Sequence, residues 1–180
     1  MTMQLNLAPH PATPPAAPEF KLWANVDHAA AFGATATLNI WFGIGAPASR
    51  FVVPQAEEPS RADELWKTTC FEIFLRERGE AAYREWNFAP SGQWGAYDFS
   101  AEREGMQNAA VEQPPYIRVE DNLIWWTLGA TISVPSGKQW DASLSAVLEE
   151  QDGTKSYWAL AHPAEKPDFH APDCFVARLP

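Results

Sequence analysis

Residues 65–106, LWKTTCFEIFLRERGEAAYREWNFAPSGQWGAYDFSAEREGM, decide the fold of this chain. Within them, three short runs at 70–75, 83–88 and 93–99 alternate aromatic or aliphatic residues with polar ones. Alternation over runs of this length is typical of β-strands that are buried on one side. The stretch therefore predicts three consecutive strands that share one apolar face and one polar face.

The same kind of run recurs along the rest of the chain. Further β-rich runs are found at 34–42, 50–53, 117–120, 123–132, 143–149, 156–161 and 175–179, and 4–7 could add a short edge strand. Turn signals such as Pro90-Ser91-Gly92 and Asp152-Gly153 separate them. About ten short strands with this spacing predict an all-β protein, an antiparallel β-sandwich or barrel.

The composition limits the classes of protein to which the chain can belong. Its 180 residues suit one domain, 1–180, with a Pro-rich connector at 9–18. A net charge of −10 argues against nucleic acid as a partner, because phosphate binding needs clustered Lys and Arg. No apolar run approaches the ~20 residues that cross a bilayer, so we expect no membrane partner.

The N-terminus and the cysteines bear on location. The first 18 residues lack the basic and apolar regions of a secretory signal. Cys70 and Cys174 could form a disulfide, but two distant cysteines are more typical of reduced thiols in a cytosolic protein. We therefore expect a cytoplasmic protein.

Side chains alternate along a strand, so each run can be divided between two faces. In 70–75 the pattern assigns Phe71, Ile73 and Leu75 to the core and leaves Glu72 on the other face. In 83–88 it places Trp86 and Phe88 in the core. If the tight turn at 89–92 pairs Phe88 with Gln93, Tyr97 and Phe99 join the core side as well. The polar face then collects Glu72, Tyr83, Glu85, Asn87, Trp94 and Asp98.

Two carboxylates on neighbouring strands, Glu72 and Glu85, repel each other unless something compensates. Arg103, Arg84, a metal ion or a ligand rich in hydroxyls could do so. By alternation alone, an ordinary solvated sheet face is the simpler interpretation. An exposed indole at Trp94 favours a binding site, because a sugar ring can stack on it and bond to the acceptors around it.

At this point the sequence resembles a known family. WKTTCFEIFL at 66–75 and YREWNFAPSGQW at 83–94 resemble bacterial DOMON-like proteins, which are similar to family 9 carbohydrate-binding modules. The resemblance continues in YDFSAEREGM, SYWALAHP and KPDFHAPDCF, and it covers nearly the whole chain. It implies an antiparallel β-sandwich of the DOMON-like or immunoglobulin-like kind that holds a ligand against one sheet.

The resemblance also implies site residues. In the sugar-binding relatives a Trp before the strand clamps the sugar and a Glu inside the strand binds its hydroxyls, and Trp66 and Glu72 match these positions. Glu85 and Asn87 stand where the next strand carries polar ligands, although Glu85 replaces an expected basic residue. For the second clamping Trp, near the C-terminus, this chain offers Trp158, Phe169 and His170 without a clear match.

Other members of the DOMON group hold haem through Met and His. Here Met106 could act with His28, His162 or His170, although lone His and Met residues are usually structural. A loop with Asp168, His170 and Asp173 could hold a divalent ion, but Asp side chains that bond nearby backbone N–H groups explain it more simply.

We expect a non-catalytic module that binds a small carbohydrate or sugar-derived ligand and carries no cofactor. Three alternatives stay open: a protein-interaction domain, a haem-binding domain, and a glycoside hydrolase that uses Glu72 and Glu85 as its acid pair. The oligomeric state is open. The predicted ligand-binding residues are Trp66, Glu72, Tyr83, Glu85, Asn87, Trp94, Asp98, Arg103 and His170.

Overall fold

The computed structural model describes residues 2–17, 20–28 and 31–180. Residue 18, the last of the predicted Pro-rich connector, therefore lies outside the described residues. The strands are β1 (Thr2–Pro9), β2 (Leu22–His28), β3 (Thr35–Ile44), β4 (Cys70–Glu77), β5 (Tyr83–Phe88), β6 (Trp94–Phe99), β7 (Gln107–Asn108), β8 (Tyr116–Asp121), β9 (Trp126–Pro135), β10 (Trp140–Glu149), β11 (Lys155–Ala159) and β12 (Ala177–Leu179). Three short 3-10 helices span Ala48–Arg50, Leu65–Lys67 and Pro172–Cys174.

The strands form two antiparallel sheets that pack face to face, which confirms the predicted β-sandwich. The first sheet has the order β1-β2-β3-β9-β8. The second has the order β7-β6-β5-β4-β10-β11, and β12 pairs with the part of β10 that β11 leaves open. No helix in the described ranges is long and apolar enough to span a membrane.

Strand β1 joins the two sheets, which corrects the expectation of a short edge strand at 4–7. Residues 2–7 pair with β2, while Ala8 and Pro9 pair with β11 in the second sheet. The strand expected at 50–53 is also wrong. A 3-10 helix ends at Arg50, and Phe51 makes only an isolated bridge to Glu150. The structure adds two strands, β2 and β7, that the pattern did not indicate.

Aromatic and aliphatic side chains fill the space between the sheets. Phe71 of β4 lies 5.1 Å from Phe42 of β3 and 5.5 Å from Trp126 of β9, measured between ring centroids. Ile73, Leu75, Trp86 and Phe88 belong to the same cluster, as the alternation in β4 and β5 predicts. Burial of each such side chain stabilises the fold by about 1.5–3 kcal/mol.

The opposite face of the second sheet carries a second apolar cluster. It contains Phe74, Tyr83, Tyr97, Phe99, Val147, Ala159, Phe169 and Phe175. Phe169 and Phe175 belong to the C-terminal segment. Trp66, in the Leu65–Lys67 helix, packs against the cluster. We call this surface the site face, because loops rather than a third sheet cover it.

Candidate functional site

A hollow of about 580 Å³ opens on the site face. This volume lies within the range of roughly 300–1,000 Å³ that small-molecule sites occupy. Its lining combines an indole, two carboxyls, three cations and an imidazole with apolar groups. The lining residues are Trp66, Lys67, Glu72, Glu85, Phe99, Arg103, Met106, Val147, Lys155, Tyr157, Pro167, Phe169 and His170.

The hairpin between β5 and β6 sets which side chains reach the hollow, and its register differs from the prediction. Phe88 pairs with Trp94 rather than with Gln93. Ala89 and Gly92 close a tight turn through Gly92 N–H to Ala89 O, 3.0 Å, and Gly92 has φ +94°. A three-residue loop with glycine in the left-handed region is a common hairpin connection. Pro90-Ser91-Gly92 carries the signal for this three-residue loop, in place of the predicted four-residue connection at 89–92.

This shift of one residue moves every side chain of β6 to the other face. The placement of Trp94 and Asp98 on the polar face is therefore wrong. Trp94 packs in the core beside Trp86, with the guanidinium of Arg61 4.7 Å from its ring centre. Asp98 accepts two hydrogen bonds from Arg84, at 2.6 and 2.9 Å, away from the hollow.

Tyr97 and Phe99, predicted to face the core, take their place on the site face. Tyr97 donates a hydrogen bond to Asp63 Oδ1 at 2.8 Å and meets the ring of Trp66 edge-on at 5.8 Å. Phe99 lines the hollow. Tyr97 thus positions the loop that carries Trp66, which places the predicted Trp66 at the border of the hollow.

The two predicted carboxyls, Glu72 and Glu85, do meet on the site face. Glu72 pairs across the strands with Asn87, two residues along β5 from Glu85, so the carboxyls are diagonal neighbours. Only 2% of Glu72 and 5% of Glu85 is exposed. Ser145 of β10 donates to Glu72 Oε2 at 2.9 Å, and Asn87 donates to Glu85 Oε1 at 2.8 Å.

Burial changes the chemistry of these carboxyls. It raises the pKa of Glu72 to about 8, helped by the charge of Glu85 and opposed by the Ser145 hydrogen bond. It raises the pKa of Glu85 to about 7, opposed by the Asn87 hydrogen bond and by Arg103. Near neutral pH the pair therefore retains at least one proton, since two buried charges on one face repel each other.

A proton on Glu72 would also provide a hydrogen-bond donor for a buried acceptor that lacks one. Asn87 Oδ1 is buried without a partner among the described residues, and Asn87 lies directly across from Glu72. An unpaired buried acceptor is costly, whereas a protonated carboxyl provides a donor. The arrangement favours a neutral Glu72 that faces Asn87. Protonation thus relieves the repulsion between the two acids, and Arg103, one of the compensating groups considered from the sequence, favours the charged form of Glu85. Arg84, the other basic candidate, pairs with Asp98 on the other face.

Three further predicted residues, Tyr83, Arg103 and His170, form a connected group at one side of the hollow. The Tyr83 hydroxyl lies 2.8 Å from His170 Nδ1 and accepts from the Arg103 backbone N–H at 3.2 Å. Arg103 Nη2 donates to Asp168 at 2.7 Å. Burial and the charge of Arg103 together lower the pKa of His170 to about 4, against the opposing effect of Asp168. His170 is therefore neutral at physiological pH, with Nε2 3.7 Å from Glu85 Oε2.

The residues considered for metal and haem lie as follows. Asp168 accepts from the backbone N–H of His170 at 3.0 Å, as the simpler reading of that loop predicts. Within residues 2–17, 20–28 and 31–180, no three His, Cys, Asp or Glu side chains converge as metal ligands would. Met106 and His170 both line the hollow, whereas His162 Nε2 donates to Ala8 O outside it. Cys70 and Cys174 are free and buried.

Several lining residues escaped prediction because they come from distant parts of the chain. Val147 lies on β10, beside β4, and Lys155 and Tyr157 lie on β11 beyond it. Phe169 was considered only as a substitute for the second clamping Trp, and it does line the hollow. Trp158, the other candidate, points into the core instead. Alternation marked which side chains of these strands share a face, but it did not indicate which strands are neighbours.

Comparison with known proteins identifies relatives of the fold. No protein-family model matches the chain, and no curated protein matches its sequence significantly. A proposed carbohydrate-binding protein from Bacteroides uniformis has a TM-score of 0.65 at 16% identity, over 98% of this chain and 84% of that one. A family 9 carbohydrate-binding module from Caldicellulosiruptor kristjanssonii in complex with glucose has a TM-score of 0.51 at 11% identity, over 91% of this chain and 77% of that one. At these identities the likeness concerns architecture. The chain has the β-sandwich fold of carbohydrate-binding modules.

Proposed function

We propose that this chain is a binding module that takes a carbohydrate or sugar-derived ligand in the hollow on its site face. One observation carries the proposal: the indole of Trp66 borders the same hollow whose wall contains the buried oxygens of Glu72 and Glu85. An indole offers a flat apolar surface to a sugar ring, and the carboxyls offer partners for its hydroxyls. The sandwich fold that the chain shares with a glucose-bound family 9 module supports this choice.

The protonation of the carboxyl pair suits hydroxyls in particular. One oxygen of each carboxyl is already bonded, Glu72 Oε2 by Ser145 and Glu85 Oε1 by Asn87. Glu85 Oε2 is left for a ligand, and Glu72 Oε1 can serve either Asn87 Oδ1 or a ligand hydroxyl. With one proton retained, the pair provides both a donor and acceptors, and a sugar hydroxyl also donates and accepts.

We also propose the finer assignments that the sequence suggested. The chain is a DOMON-like protein that forms a single domain over 1–180 and works in the cytoplasm without nucleic acid or membrane as a partner. The resemblance, which is most convincing over residues 61–106 and 143–179, supports the family. The two free, buried thiols of Cys70 and Cys174 fit a reducing compartment.

Isothermal titration with glucose, cellotriose and a panel of other mono- and oligosaccharides tests the proposal, with tryptophan fluorescence as a second readout. At least one sugar should bind and alter the fluorescence. Glu72→Gln and Trp66→Ala should each weaken binding tenfold or more. Glu112→Gln is the matched control, because Glu112 is exposed and outside the hollow. Absence of heat and fluorescence change with every sugar would remove the carbohydrate assignment.

The raised pKa values of Glu72 and Glu85 favour glycoside hydrolysis as a second candidate function. A hydrolase needs one carboxyl that stays protonated while another is ionised, and this pair can hold one proton. Incubation with aryl glycosides distinguishes the two functions. Release of the aryl group by the wild type, abolished in Glu72→Gln, would establish catalysis, whereas sugar binding without release would leave a binding module.

A further inference from the structure

A second surface with the chemistry of a ligand site lies on the outer face of the first sheet, far from the hollow. Trp23 of β2 pairs with Gly43 of β3, and Trp41 of β3 pairs with Gly129 of β9. A Cβ placed on Gly43 would collide with three ring atoms of Trp23, and one placed on Gly129 with three ring atoms of Trp41. Each indole therefore lies on the backbone of the next strand, in a place that only glycine leaves open.

The two indoles repeat one geometry across the sheet. Both indoles lean in the direction of β9. The Trp41–Gly129 pair lies one strand further across the sheet than the Trp23–Gly43 pair, and two residues further along the strands. With about 4.8 Å between strands and 3.4 Å per residue, the rings are about 8 Å apart. One face of each ring is covered by backbone, and 37% of Trp41 stays exposed on the outward side. Together they form an open aromatic surface, which we call the Trp platform (Trp23 and Trp41).

Amides and hydroxyls lie at the centre of the platform, and charged groups border it: Asp27, two residues from Asn25 on β2, and Arg118, which pairs with Gly129. Asn6 pairs with Trp23, and Asn25 pairs with Trp41. The side chains of Asn6 and Asn25 have no hydrogen bond to any described residue. Thr131 donates to Asn39 Oδ1 at 2.9 Å beside Trp41. The ion pair of Arg118 with Glu120, at 2.6 Å, lies at the edge strand β8. Neutral groups that both donate and accept are suited to hydroxyls.

The size and charge of the platform decide between possible occupants. A stable protein partner covers roughly 800 Å² per side. A fully buried Trp contributes about 150–250 Å², and each of these two indoles offers only its outward face, so the aromatic area of the platform is well below that of a protein interface. The net charge of −10 disfavours nucleic acid and other polyanions. The positively polarised C–H groups on the face of a pyranose match the negative face of an indole. Two indoles about 8 Å apart extend beyond a single sugar ring, so the platform suits a chain of sugar units.

We propose that the Trp platform binds an extended neutral polysaccharide, independently of the hollow on the site face. The chain lies across Trp23 and Trp41, and its hydroxyls bond Asn25 and its neighbours. This goes beyond the proposed function, since it assigns a second site to the opposite sheet with a different form of ligand. The protein would then hold a polymer with one sheet and a short sugar with the other.

Affinity electrophoresis in native gels tests the proposal, with hydroxyethylcellulose, arabinoxylan or galactomannan cast into the gel. The wild type should be slowed by at least one of them. Trp41→Ala should lower the affinity tenfold or more. Gly129→Ala should do the same while it keeps the indole, because the added Cβ lifts the ring from the sheet. Asn25→Ala gives a milder loss without a change in the aromatic surface, and near-ultraviolet circular dichroism verifies that each variant is folded.

Glu58→Gln, at an exposed position outside both surfaces, is the matched control, and its slowing relative to a gel without polysaccharide should equal that of the wild type. Failure of the proposed function would appear separately, as missing heat with glucose or cellotriose. Two results would overturn the platform. One is unchanged mobility of the wild type in all three gels. The other is slowing that persists in Trp41→Ala and Gly129→Ala but is lost in Glu72→Gln.

Discussion

Replacement of Glu72 by Gln should stabilise the protein at pH 8 and leave its stability at pH 5 little changed. Glu72 is buried, and its pKa rises from 4.5 to about 8 in the folded protein. A carboxyl with a raised folded pKa favours folding while it is protonated. Its contribution is fully present below pH 4.5 and is lost as the pH rises towards 8. The wild type should therefore become less stable between pH 5 and pH 8.

The magnitude follows from the same shift. Each pKa unit corresponds to about 1.4 kcal/mol, so ionisation of Glu72 costs the folded state about 4 kcal/mol by pH 8. The charge of Glu85 accounts for part of this shift and changes when Glu72 becomes neutral. We therefore expect Glu72→Gln to recover about 2–4 kcal/mol at pH 8. The amide oxygen can still accept from Ser145, and the amide nitrogen can donate to Asn87 Oδ1, which has no partner now.

Urea unfolding at pH 5, 6, 7 and 8, followed by tryptophan fluorescence, measures this effect. With a slope of about 1–3 kcal/mol per molar urea, the midpoint of Glu72→Gln at pH 8 should be about 1–2 M higher than that of the wild type. Glu112→Gln, at an exposed position, should shift stability by less than about 0.5 kcal/mol. A wild type that is equally stable at pH 5 and pH 8, with no gain in Glu72→Gln, would refute the reasoning.

Three more substitutions test the contacts around the site. Ser145→Ala removes the donor to Glu72 Oε2, so it should cost about 1–3 kcal/mol at pH 8 and less at pH 5 in the same titrations. Tyr83→Phe removes the hydroxyl between His170 and the Arg103 N–H and should cost about 1–2 kcal/mol in thermal unfolding, whereas no loss would mean that this group does not hold the C-terminal segment. Gly92→Ala should cost about 1–2 kcal/mol because of its φ of +94°, and Gly92→Asn should recover part of it. If the wild type, Gly92→Ala and Gly92→Asn were equally stable, the assigned hairpin would be contradicted.

Much of the site could be predicted from local sequence. Alternation placed Glu72 on one face of β4 and Tyr83, Glu85 and Asn87 on one face of β5, and the structure brings all four together. The family resemblance indicated Trp66, which lies in a 3-10 helix that alternation does not describe. These predictions succeeded because a side chain's face depends on its own position in the strand.

The errors arose where the position of one strand relative to another mattered. A difference of one residue in the 89–93 turn exchanged Trp94 and Asp98 for Tyr97 and Phe99 on the site face. The turn residues Pro90, Ser91 and Gly92 could have decided the register. No local signal indicated that β10 and β11 would complete the hollow with Val147 and Tyr157.

The sequence by itself determined the strand pattern, the amphipathic faces of β4 and β5 and the residue types available for binding. Only the tertiary structure decided that Glu72 and Glu85 are buried, that Ser145 and Asn87 hold them, and that Trp41 rests on Gly129. Alternation is a property of consecutive residues, whereas strand pairing also joins residues far apart in sequence, such as Glu72 with Ser145 and Trp41 with Gly129. Since burial and charge interactions depend on those distant neighbours, the protonation of the site is fixed only when the sheets assemble.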